Sequence, residues 1–148
     1  MQTLGHSASA LGGYLSLNEF LSQGTLSAKD RERIALTVAE HHGCGYCLAA
    51  HTAIGKMNGF SDSAILELRA GNAPFDSKLD ALAKFAKSVA ENRGAATQET
   101  VENFYAAGYT KGSLADVIVQ TPNEVIQAIE TDATIGETAK TVKLTPFQ

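Results

Sequence analysis

Residues 40–51 read EHHGCGYCLAAH, gathering a carboxylate, three of the chain's four histidines and both of its cysteines into twelve positions. On one helix Cys44, Cys47 and His51 fall at i, i+3 and i+7, a spacing that stacks them along a single face. A cysteine reacts as its thiolate, and an ordinary thiol, with a pKa of about 8.5, is mostly protonated at neutral pH. Two features of the stretch favour ionisation. A helix start presents unpaired amide hydrogens and a partial positive charge to Cys44 and, less strongly, to Cys47. The imidazole of His51 stands one turn beyond Cys47 as a proton acceptor.

An imidazole works better as a base when a carboxylate holds its far nitrogen, which fixes the tautomer and stabilises the charged ring. Glu40 continues the same stripe if one helix runs through Gly43. Glu32 serves if the chain turns at HGCG and the preceding helix folds back over the cysteine helix. The two glycines favour the turn, and so Glu32, without removing Glu40. His41 and His42 read as solvent-side residues at a helix end, where a cation suits the dipole. Tyr46 lines the pocket or caps the turn.

Three other readings compete. A closed zinc site built on Cys44, Cys47 and a histidine wants a second ligand pair farther along, and the chain has no second CxxC and no HxxxH. Cysteines buried merely as small hydrophobes explain neither the CxxC spacing nor His51. A thioredoxin-like module needs a flanking βαβ pattern that the sequence lacks. No metal and no cofactor is therefore expected.

The elements that position these residues read as helices. Ser27 caps a helix in TLSAKDRERIALTVAEHH that places Ile34, Ala35, Val38 and Ala39 on one face and is interrupted by Gly43 and Gly45. A second runs from about Cys44 to Met57 and closes at NGF, with Gly59 in the left-handed cap position. A short helix around Leu15 to Leu21 precedes them, ending at Gly24. A helix capped by Ser61 stops at Gly71. A strongly amphipathic one buries Leu79, Leu82, Phe85, Ala86 and Val89. Another begins at Thr97. From Lys111 to about Ile135 the chain is rich in branched aliphatics, with Pro122 expected to end or kink the helix near Thr121. An oligomer interface is a second use for that aliphatic surface. From Gly136 the periodicity fades. The expectation is an all-α, single-domain helical bundle of about six to seven helices over residues 1–148.

The 148 residues are 44% hydrophobic and 19% charged, a globular balance, and such a chain buries a core without a disulfide staple. A net charge of −4 gives no basic field for phosphate backbones or anionic lipid, so neither nucleic acid nor membrane is an expected partner. The N-terminal stretch lacks a secretory pattern, and no apolar run spans a bilayer, which places the protein in the cytoplasm. There the thiol pool disfavours a purely structural disulfide.

With eleven residues between Glu32 and CGYCLAAH, the stretch LSAKDRERIALTVAEHHGCGYCLAAHTAIGKMNGFSDSAI, residues 26–65, resembles the core motif of the alkylhydroperoxidase D-like family, within the carboxymuconolactone decarboxylase superfamily. The resemblance implies an all-helical homo-oligomer, a trimer or hexamer, that reduces hydrogen peroxide or small organic hydroperoxides with electrons from a dithiol or protein reductant. It also implies roles. Glu32 and His51 match the family's proton relay, which draws the proton of Cys47 through a water. Cys47 then attacks the peroxide, and Cys44 resolves the sulfenic acid into an intramolecular disulfide. The helix dipole favours Cys44 as thiolate instead, but a positioned base one turn away outweighs a dipole end. Some members carry a histidine between the cysteines where this chain has Tyr46. Two other functions remain: a lactone-acid decarboxylase, which needs no redox thiol, and a thiol sensor that reacts without turning over.

Overall fold

The computed structural model describes residues 4–131. Among them are seven α-helices, no β-strand, and a short 3₁₀ turn at Leu4–His6: α1 (Ala8–Ser22), α2 (Ala28–His41), α3 (Gly45–Met57), α4 (Asp62–Arg69), α5 (Ser77–Glu91), α6 (Gln98–Ala106) and α7 (Lys111–Thr131). The all-helical expectation stands. No helix among the described residues is long and apolar enough to cross a membrane.

Helix starts follow the side-chain oxygens. Ser27 accepts from the Asp30 amide while the Asp30 carboxylate accepts from the Ser27 amide, a reciprocal box at the head of α2. Ser61, Asp76 and Thr97 cap α4, α5 and α6. Each cap satisfies amides with no partner inside the helix, at about 1 kcal/mol apiece.

α2 is the central rod, in contact with α3, α4, α5 and α7. The sequence pattern gives it one apolar face, yet residues 34–39 are all buried, because neighbours cover it on several sides. On one side Ile34 and Val38 meet Leu82, Phe85 and Val89 of α5, Phe104 of α6 and Val117 of α7. On another Leu36 meets Ile65 and Leu68 of α4 and Leu79 and Ala83 of α5. Burying each such large side chain contributes about 1.5–3 kcal/mol. The Thr37 hydroxyl, buried between these groups, donates to the Leu68 carbonyl at 2.7 Å, so its polar atom costs little. The five α5 residues expected inside are all buried.

Two expectations change. α1 begins at Ala8, capped by Ser7, well before Leu15, despite Gly12 and Gly13. Helix continuation through two glycines is supported by tertiary contact: Asn18 and Asn123 of α7 exchange side-chain hydrogen bonds at 3.2 and 3.1 Å. The second change concerns Pro122, expected to end or kink the helix near Thr121: of these two outcomes the ending does not occur, since α7 runs on through it to Thr131. A proline removes a single backbone donor, and here the following turn is held by buried side chains at Asn123 and Glu124. The expected continuation to Ile135 and the fading pattern beyond Gly136 lie outside the described residues.

Candidate functional site

The joint between α2 and α3 builds the site. Gly43 takes φ +64, its amide donates to the Glu40 carbonyl, and the Cys44 amide donates to the Ala39 carbonyl, both at 3.0 Å. This paired closure satisfies two carbonyls at the end of α2 and reverses the chain. Cys44 is at once the last residue of that turn and the N-cap of α3, where its sulfur accepts from the Cys47 amide at 3.2 Å. Only His42, Gly43 and Cys44 lie between the two helices, so α3 folds straight back along α2.

Cys44 and Cys47 are joined by a disulfide, with Cα atoms 5.3 Å apart. Cys47 is 3% exposed while Cys44 is only half-buried, which makes Cys44 the more accessible sulfur. One turn beyond Cys47, on the buried face of α3, lies His51. Its Nδ1 lies 2.8 Å from Oε1 of Glu32, reaching across from α2. Of the two carboxylates open in the sequence, the reversal at Gly43 brings in Glu32. Glu40 is exposed and pairs with Arg69 at 2.6 Å.

A further pair of residues completes the surroundings of the ring. Glu124 of α7 places Oε2 3.5 Å from His51 Nε2, and the Gln120 side-chain amide donates to Oε1 of the same carboxylate. Glu32, His51, Gln120 and Glu124 are all buried. Burial alone pushes the imidazole pKa down, but hydrogen bonding and charge from Glu124 and Glu32 outweigh it and raise the pKa to about 9. At neutral pH the ring is an imidazolium between two carboxylates. It can surrender a proton toward a developing anion and take it back.

Gln120 and Glu124 escape the sequence reading. They stand four apart around Pro122, in a run that looks like the polar end of a helix. The signal available was their i, i+4 spacing on an otherwise aliphatic segment. His41 and His42 are exposed at the end of α2, their rings edge-on with centroids 4.9 Å apart. Partial burial, together with the neighbouring His41, pulls the His42 pKa down. Tyr46 projects into solvent beside the disulfide. Among the described residues no group of three or more His, Cys, Asp or Glu side chains is arranged to hold a metal ion.

Fold and site together define a class: an all-helical protein whose central helix pair carries a CxxC pair beside a buried carboxylate–imidazole contact. The carboxymuconolactone decarboxylase family model matches residues 9–88, more than half of the chain, and the chain belongs to that family, in keeping with the alkylhydroperoxidase D-like resemblance. A search of curated proteins finds no match to it. The matched stretch contains Glu32, Cys44, Cys47 and His51 and stops short of Gln120 and Glu124.

Proposed function

We propose that the chain is a thiol-dependent peroxidase and disulfide reductase that reduces hydrogen peroxide or small organic hydroperoxides through its Cys44–Cys47 pair. The observation that carries this reading is the buried Glu32–His51 contact one helical turn from buried Cys47, whose partner sulfur is the more exposed Cys44. In the reduced protein the Cys47 thiolate is stabilised by the imidazolium. It attacks the peroxide: an S–O bond forms, the O–O bond breaks, and a proton from His51 goes to the departing hydroxide or alkoxide. The Cys44 thiol then attacks the sulfenic sulfur, releasing water and restoring the disulfide. A dithiol donor supplies two electrons and two protons to reopen it, with Cys44 the accessible point of attack. The sequence pattern gives His51 the part of a base; charged by two acids, it serves equally as the acid of the peroxide step.

The cycle suits a reducing cytoplasm. A homo-oligomer is part of the same reading, since the outer face of α3 exposes Tyr46, Ala53, Ile54 and Met57 and wants cover.

Reduced protein given one equivalent of hydroperoxide is expected to lose two thiols and gain the Cys44–Cys47 disulfide. With excess dithiol, consumption should continue over many turnovers, whereas a sensor stops after one. Cys47→Ser abolishes turnover, and Glu32→Gln slows it by ~10²-fold, the usual worth of a positioned acid–base group. Thiols that survive the peroxide would refute the assignment. The family's name favours decarboxylation of a lactone acid as a second reading. It needs no redox sulfur, so a decarboxylase stays active in Cys47→Ser.

A further inference from the structure

Glu124 is a buried acid that the peroxidase cycle leaves without a task. It is 7% exposed, on a helix outside the stretch that the family model matches. Burying a carboxylate costs several kcal/mol unless charge and hydrogen bonds offset it. The Gln120 amide bonds one oxygen; the other faces His51 Nε2 at 3.5 Å, and Nε2 has no well-formed hydrogen bond among the described residues. Nδ1, by contrast, is committed to Glu32 at 2.8 Å. The ring thus has one fixed proton and one loosely held proton, and the loose one lies between α3 and α7.

We propose that Glu124 is a positioning residue of the redox site: it keeps the His51 ring charged in the disulfide form, so that reduction by a dithiol takes up one proton per two electrons and leaves Cys47 as a thiolate. This rests on the peroxidase reading above. With the ring already charged, the half-reaction is disulfide plus two electrons plus one proton, giving the Cys44 thiol and the Cys47 thiolate. With a neutral ring a second proton is taken up, onto the imidazole. Glu124 therefore decides whether the thiolate forms beside a cation that is already present. The other side chains around the ring do not replace it. From α2, Glu32 holds the opposite nitrogen and Glu40 is turned to Arg69. From α4, Asp62 pairs with Lys56 of α3 at 2.6 Å. Among the described residues, Glu124 and Glu32 are the charges that act on the ring.

The test is an NMR titration of ring-labelled histidine in the disulfide form, with the His51 signal identified by its loss in His51→Gln. The wild-type ring is expected to titrate near 9. Glu124→Gln should increase its acid dissociation constant at least tenfold, and Glu124→Asp should restore part of the shift. Equilibration with a dithiol between pH 6 and pH 8 should show one proton taken up per two electrons throughout in the wild type and, in Glu124→Gln, an uptake that rises above one toward two as the pH increases. If that variant does not fold, the wild-type titration still decides, together with Glu124→Asp, whose shorter carboxylate should loosen its hold on the ring proton and lower the pH at which the ring titrates. A wild-type ring that titrates below pH 7, or a Glu124→Gln ring unmoved, overturns the proposal. None of these readings needs peroxide turnover. A chain that turns over no peroxide yet shows the Glu124-dependent titration sinks the peroxidase reading alone, and full turnover with an unmoved ring sinks this one alone.

Discussion

At the scale of single residues, the charge on His51 ties chemistry to stability. The folded ring has a pKa of about 9 against an unfolded value of 6.5. A group whose pKa folding raises binds its proton more tightly in the native state. Its contribution is fully present below about pH 6.5 and is lost as pH rises through 9. At about 1.4 kcal/mol per unit the effect amounts to a few kcal/mol. Urea unfolding of the disulfide form should therefore give a clearly lower stability at pH 9.5 than at pH 7, with the difference much reduced in His51→Gln. Equal pH dependence in the two proteins would remove His51 as the cause. The residues of this site differ in how legible they are. Glu32, Cys44, Cys47 and His51 can be read because their spacing and the two glycines encode a local reversal. Glu124 reaches the ring from a helix some seventy residues away in sequence, and no local pattern encodes that approach.

At the scale of elements, the reversal between α2 and α3 depends on one backbone conformation. Gly43 at φ +64 is in the left-handed region, where a Cβ costs roughly 1–2 kcal/mol even with no atom within 4 Å to clash. Because Cys44 follows immediately as the N-cap of α3, a change at Gly43 also moves a reacting sulfur. Gly43→Ala is expected to lose about 1–2 kcal/mol in chemical denaturation and to slow disulfide formation with peroxide. Gly45→Ala is the control: that glycine begins α3 with negative φ and open space around it, so the variant should be neutral or slightly stabilised. If both glycines tolerate alanine equally, the left-handed turn is not what sets the site. Such joints are legible because caps and glycines act locally, as Ser27, Ser61, Thr97 and Gly59 also show. α1 and α7 are less so. Gly12, Gly13 and Pro122 argue against helix locally, and the partners that overrule them, Asn18 and Asn123, meet only in the folded chain.

At the scale of the whole molecule, α2 is buried by four neighbours while α3, which carries the disulfide, is covered on one face only among the described residues. Its inner face holds Cys47, His51 and Gly55. Its outer face runs Tyr46, Ala50, Ala53, Met57 at i, i+4, i+7 and i+11, with large side chains at both ends and alanines between. Tyr46 is 64% exposed and Met57 87%. That seam has no charged residue, and two alanines in its middle permit another helix to approach closely, the pattern of a knobs-into-holes contact. A second copy of the same helix satisfies it, small residues meeting large ones across a symmetry axis. The protein is therefore expected to run in light scattering at more than the mass of one chain. Met57→Glu, which places a charge on each copy at the seam, should shift it toward the monomer. Met57 makes so little contact within its own chain that the monomer's unfolding should be nearly unchanged, within about 0.5 kcal/mol. Because the seam lies on the reverse of the helix that holds Cys47 and His51, dissociation should also lower peroxide turnover through loss of order in α3. A wild-type protein that scatters as a monomer at micromolar concentration, or a Met57→Glu protein of unchanged mass, would show that no second copy covers this face.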